Sequence, residues 1–240
     1  MKNIILILLL STFVFADSIK VAVAANVSYA IKPLIKEFNK TNKTKIKIIL
    51  GSSGKLTALI TNGAPYDLFL SANIKYPNFL YKNKIGIKKP EIYTKGSLVL
   101  FSSKKRDLKD ISIINDVKKI AIANPKTAPY GKAAHEAISN AKLLENNINK
   151  LIYAENISQT VQYSVVAADV GFIAKSSLYS PKMQKYKKNV NYVDINKNLY
   201  KPINQAILLL KNNQNSLAFY EFILSNKAKK IFKKYGYNVE

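Results

Sequence analysis

The chain has 240 residues, 48% of them hydrophobic, which suits one large or two modest domains and excludes a disordered chain. It has no cysteine, so disulfides and a lipid-modified cysteine are excluded. The formal net charge is +24, yet Arg106 is the only arginine among 38 basic residues, a poor composition for reading nucleic-acid bases.

The first residues read as a targeting segment. Lys2 supplies the positive end, Ile4 to Leu10 and then Phe13 to Phe15 form a short apolar run, and Val14-Phe15-Ala16 ends as a small-x-small cleavage site, with cut after Ala16. The run is short of the ~20 residues needed to span a bilayer. The spacing then predicts a strand over 18–24, a helix over 29–39 with Pro33 near its start, and a strand over 45–50. A short helix over 55–62 follows, ended by Gly63 and Pro65, and then a strand over 68–72. The second group comprises strands at 97–101 and 120–123, helices at 132–144 and 158–167, and a strand at 170–174. In the helix over 158–167, Val161, Val165 and Val166 are the candidate packing positions. The apolar run 203–210 reads as a buried strand, and 217–224 and 228–235 as terminal helices capped by Gly236. Alternation of strands and helices predicts α/β architecture with mainly parallel sheets.

Four short polar loops each open a helix, and three directly follow an apolar run. They are Ala24-Ala25-Asn26-Val27-Ser28, Gly51-Ser52-Ser53-Gly54, Asn124-Pro125 through Pro129-Tyr130-Gly131, and Glu155-Asn156-Ile157-Ser158. The fourth follows Leu151-Ile152-Tyr153, too short to be read as a strand alone. A helix start offers unpaired backbone N–H groups and the positive end of the dipole. Several converging on one cleft would hold a small anion without Lys or Arg. Each loop also fits an ordinary helix cap or turn. No GxxxxGK[ST] or GxGxxG occurs, so a nucleotide site has no support.

Catalysis has little support. His135 is the only histidine, and no His/Cys/carboxylate cluster has metal-ligand spacing. Ser53, His135 and Asp67 make a hydrolytic set on paper, but nothing positions them. Asp67 and Asp169 each precede a strand-like run and are expected to bond nearby backbone N–H groups. The lysine excess fits an AT-rich genome, since Lys, Asn, Ile and Tyr are all heavily used. The rival reading is a basic scaffold for nucleic acid or an anionic envelope polymer, which predicts steep salt dependence.

Three stretches together carry a resemblance: Val21-Ala22-Val23-Ala24-Ala25-Asn26, Gly51-Ser52-Ser53-Gly54-Lys55-Leu56, and Gly63-Ala64-Pro65-Tyr66-Asp67-Leu68-Phe69-Leu70-Ser71-Ala72-Asn73. With Asn124 to Gly131, Glu155 to Thr160, Lys201-Pro202-Ile203-Asn204-Gln205-Ala206 and Tyr235-Gly236-Tyr237, they resemble the periplasmic molybdate-binding proteins of ABC transporters, over essentially the whole mature chain, in order. The resemblance implies a type II periplasmic-binding-protein fold, two α/β lobes hinged about a ligand cleft. It implies a signal peptide at 1–16, a discontinuous first lobe of 17–97 plus 207–240, and a second lobe of 98–206. The pocket it implies uses Asn26 and Ser53, each donating from side chain and backbone, and the backbone N–H of Tyr130 and Ile157, with Ala25 and Ser52 adjacent. Some family members place a tyrosine hydroxyl where this chain has Ala174, so this pocket follows another pattern or has one fewer donor. The ligand implied is molybdate or tungstate, and the partner a membrane permease. Neither enzyme activity nor a cofactor is implied, nor a metal beyond the oxyanion. A periplasmic monomer that does not bind nucleic acid is expected.

Overall fold

The computed structural model describes residues 18–239, so the expected signal segment lies outside the described residues. The strands are β1 (Ser18–Ala24), β2 (Lys45–Gly51), β3 (Leu68–Ser71), β4 (Glu91–Gly96), β5 (Leu98–Phe101), β6 (Ile120–Ala123), β7 (Leu151–Ala154), β8 (Val170–Ala174), β9 (Tyr192–Asp194) and β10 (Ile203–Leu209). The helices are α1 (Ile31–Phe38), α2 (Ser53–Thr61), α3 (Lys75–Lys82), α4 (Pro129–Asn140), α5 (Leu144–Asn147), α6 (Ile157–Val166), α7 (Gln214–Leu224) and α8 (Asn226–Lys234).

Two five-stranded sheets form, ordered β2-β1-β3-β10-β4 and β7-β6-β8-β5-β9. In the first, β1 alternates its burial between two layers. Ile19, Val21 and Val23 pack with residues of α1, α7 and α8, while Ala22 packs with Leu56 and Ile60 of α2 and Leu80 of α3. Phe38 meets Phe219 edge-on at 5.1 Å, in that first layer. In the second sheet, Leu98, Leu100, Ile120, Ile122 and Phe172 face α4, and Val99, Phe101 and Ile173 face Val161 of α6. Helices on both faces of both sheets define the α/β class.

Both sheets are mixed, which corrects the expectation of mainly parallel ones. The pairs β1–β2, β1–β3, β6–β7 and β6–β8 are parallel; β10 runs antiparallel to β3 and β4, and β5 to β8 and β9. The reason is the way the chain changes sheets. Only Ser97 separates β4 of the first sheet from β5 of the second, with no helical crossover to restore direction. The whole of β10 pairs in the first sheet, so the return crossing precedes Ile203, whereas the sequence suggested a division after Ala206. The chain end also returns to this crossing, where Lys95 and Asn238 exchange backbone bonds of 2.8 and 2.9 Å.

Two further local differences have clear causes. The helix expected over 132–144 stops at Asn140, because Lys142 takes a left-handed φ of 59°, and α5 starts anew. In α6 only Val161 of the three candidate valines is buried, and Val166 is 80% exposed. The inward face instead carries Thr160 and Ser164, whose hydroxyls return to the carbonyls one turn earlier at 3.0 and 2.7 Å. Gly236, at φ +76°, ends α8 as expected.

Candidate anion-binding site

All four polar loops meet at one small cavity between the two sheets. Its lining comprises Ala24, Ala25 and Asn26 from the end of β1 onward, Gly51, Ser52 and Ser53 from the end of β2 onward, Ala72 after β3, Ala128, Pro129 and Tyr130 after β6, and Asn156 and Ile157 after β7. These are the carboxyl ends of strands, where ligands of open α/β sheets bind. The run Leu151–Ala154 is a strand, paired in parallel with β6, so the fourth loop also follows one. The cavity encloses no more than about 200 Å³, and no lining residue carries a charge. That volume excludes a nucleotide.

The helices begin earlier than periodicity suggested, and this puts the candidate residues into first turns. Ser53 is the first residue of α2, Ile157 the first of α6 and Tyr130 the second of α4. The neighbouring donors are already used. Gly54 N–H reaches Thr127 O at 2.8 Å and Leu56 N–H reaches Ser52 O at 3.0 Å. Asn156 Oδ1 accepts from Ser158 and Gln159 N–H at 3.0 and 3.1 Å. Pro129 has no N–H, so Tyr130 supplies the first donor of α4. One backbone donor each from Ser53, Tyr130 and Ile157 is thereby left beside the cavity, where no helix carbonyl can reach it.

Ser52 and Ser53 differ in a way the sequence hides. Ser53 Oγ accepts from Ala72 N–H at 2.9 Å and keeps its own proton available to donate. Ser52 is the N-cap of α2 but makes no side-chain cap bond, and its buried Oγ has no partner among the described residues. A cap serine that leaves its helix uncapped, facing a cavity, is a donor awaiting an acceptor. Ala25 lines the cavity and supplies no polar side-chain atom.

Asn26 departs from expectation. Its Nδ2 donates to Gln205 Oε1 at 2.8 Å and to Tyr237 Oη at 3.2 Å, while Oδ1 is buried with no partner among the described residues. The amide nitrogen expected to serve the cavity is therefore turned to Gln205 and Tyr237. The carbonyl of Asn26 accepts from Tyr237 Oη at 2.7 Å and Ser176 Oγ at 3.1 Å. The Tyr130 phenol is engaged too: Gln205 Nε2 donates to it at 3.2 Å, and Tyr93 Oη donates to Gln205 Oε1 at 3.0 Å. Gln205 is fully buried at a register shift in the β10–β4 pairing, where a bulge re-aims a side chain. It joins Asn26 of the first sheet's side to Tyr130 of the second. Burial pushes the phenols of Tyr93, Tyr130 and Tyr237 up, that of Tyr237 to about 12, so all three stay neutral at physiological pH. Ala174 ends β8 outside the lining, and Ser176 of the following turn bonds Asn26 instead.

The hydrolytic set is not assembled by any hydrogen bond among the described residues. Asp67 Oδ2 accepts from Lys20 N–H at 2.6 Å, and Asp169 Oδ2 from Lys118 and Lys119 N–H at 3.1 and 3.0 Å, the backbone roles expected for both. His135 is half-buried on α4. At Asp169, burial pushes the carboxyl up, but the two backbone donors and Arg106, 3.3 Å away, outweigh it and hold the pKa below the usual value. A depressed folded pKa stabilises above the unfolded value of about 3.9 and loses that contribution as pH falls through the folded value. Asp169→Asn should therefore cost about 1–3 kcal/mol at pH 7. Melting curves of variant and wild type should converge as the solution is acidified below pH ~4. A gap that widens in acid would contradict this assignment.

Two mixed α/β lobes flanking one small, uncharged cavity at the ends of their strands have the architecture of a solute-binding protein. Comparison with known proteins gives the family. A profile described as bacterial extracellular solute-binding protein matches residues 19–238. The chain belongs to that family. It is 32% identical to the molybdate-binding protein ModA of Azotobacter vinelandii, over 94% of this chain and 91% of that one. It is 31% identical to the ModA of Rhodobacter capsulatus, over 94% of this chain and 90% of that one. The solved structure of the Azotobacter vinelandii periplasmic molybdate-binding protein superimposes with a TM-score of 0.86 at 29% identity, covering 92% of this chain and 99% of that one.

Proposed function

We propose that this chain captures molybdate or tungstate in the periplasm and delivers it to the membrane permease of an ABC transporter, as a monomer and without chemistry. The observation that carries the reading is the convergence of helix first turns from both lobes on one uncharged cavity. A dianion held by neutral donors needs no buried countercharge, and each charge-assisted hydrogen bond contributes roughly 1.5–3 kcal/mol. The relatives named above as molybdate-binding proteins support the choice of oxyanion. Sulfate has the same charge and shape but is smaller, so a rigid pocket rejects it through longer, weaker bonds.

The donors expected to hold the ion are Ser53, Tyr130 and Ile157, with the Ser52 hydroxyl added and Asn26 acting through its backbone. They come from two lobes, of about 18–97 with 203–239 and 98–202, so the ion bridges them and favours the closed form. Small-angle scattering should show a smaller radius of gyration when molybdate saturates the protein. An unchanged radius would contradict ligand-driven closure. Binding to a polyanion would instead fall steeply with salt, whereas binding of one small ion in this cavity depends on salt only mildly.

A further inference from the structure

Gly54 is the second residue of α2, one position past Ser53, and its backbone does not need glycine. It is not among the residues with positive φ, and alanine is the better helix former. What it lacks is room. A Cβ placed on Gly54 would lie 2.9 Å from Thr127 Cα, 2.9 Å from Thr127 O and 2.8 Å from Tyr76 Oη. Tyr76 Oη is the end of a flexible side chain. The Thr127 atoms are backbone, in the loop between β6 and α4, and belong to the opposite lobe.

The same contact is a bond. Gly54 N–H donates to Thr127 O at 2.8 Å across the cleft. Other direct lobe-to-lobe contacts surround it. Lys55 Nζ meets Glu155 Oε1 at 2.5 Å, Ser158 Oγ donates to Ala25 O at 2.9 Å, and Tyr76 Oη donates to Lys126 O at 3.2 Å. The seam closes without using the donors assigned to the ion.

We propose that Gly54 is a positioning residue for closure: its bare Cα lets the backbone at Thr127 seat against α2, and any side chain there wedges the lobes apart. The inference rests on the reading that the lobes close on an oxyanion. Affinity then depends on Gly54 through the fraction of molecules able to close, with no contact to the ligand. A ligand's apparent dissociation constant rises in inverse proportion to that fraction.

The test uses Gly54→Ala in the full chain. The absence of native cysteine allows spin labels at Lys82→Cys and Lys118→Cys, one on each lobe, to report lobe separation. Expected is a melting temperature equal to or above wild type without ligand, a wider label distance with saturating molybdate, and an apparent dissociation constant raised by about tenfold or more. Gly54→Val should widen the distance further. Wild-type distances and affinity in both variants would overturn the proposal. So would unfolding of Gly54→Ala, which would place the need for glycine inside the first lobe. Should the wild type take up no molybdate, the proposed function fails by itself, and the closed fraction of the ligand-free protein still decides the seam: a short-distance population present in the wild type and lost in both variants supports it, and one that the variants keep overturns it.

Discussion

Ser53→Ala is expected to weaken molybdate binding by about 1.5–3 kcal/mol, roughly ten- to a hundredfold. The hydroxyl is completely buried, receives Ala72 N–H and has its own proton left to donate toward the cavity. The change removes both bonds, so the melting temperature falls as well. Stability alone would be affected if Ser53 served only to hold Ala72. Calorimetric affinity and melting temperature, measured on the same variant, separate the two roles. A destabilised protein with native affinity would show that Ser53 is no ligand. Ser52→Ala makes the contrast: its hydroxyl has no partner among the described residues, so affinity should drop with little loss of stability.

The second large effect is expected at Gln205. Leucine there removes the acceptor shared by Asn26 and Tyr93 and the donor to Tyr130, in a position with no exposure. Buried partners left unsatisfied should cost about 2–4 kcal/mol in total. For a chain of this size that lowers the melting temperature by roughly 5–15 °C. Affinity should fall too, because Asn26 and Tyr130 lose the group that fixes one against the other. Tyr130→Phe removes only the phenol that Gln205 holds, so it should lower stability by about 1 kcal/mol and leave affinity nearly intact. Thermal unfolding and calorimetry of both variants check this. Native stability in Gln205→Leu would show that the buried bonds are worth little, and a large affinity loss in Tyr130→Phe would place the phenol, not the backbone, on the ion.

The loops were legible in the sequence because each gathers small or capping residues, in three cases directly after an apolar run. Local chemistry dictates a helix start at Ser52-Ser53 or Asn156-Ile157 whatever the rest of the chain does. That they share one cavity depends on strand order, which no single segment encodes. Gln205 was missed for the same reason. Its one local signal is polarity, Asn204-Gln205 standing inside an otherwise apolar strand, and its partners Asn26, Tyr93 and Tyr130 are far away in sequence. The amide of Asn26 could not be oriented before Tyr237 and Gln205 were placed beside it. Helix α3 and strands β4 and β9 gave no periodic signal: in β4 only Tyr93 and Thr94 are buried, and β9 has three residues. The direction of β5 and β10 follows from the crossings at Ser97 and before Ile203, where the chain changes sheets without an α-helix.

The most direct measurement is isothermal calorimetry of the purified protein against molybdate, tungstate, sulfate and phosphate in one buffer. The account predicts saturable one-to-one binding of molybdate or tungstate, much tighter than sulfate, with phosphate weak. Sulfate binding more tightly than molybdate, or no saturable binding of any tetrahedral oxyanion, would contradict it.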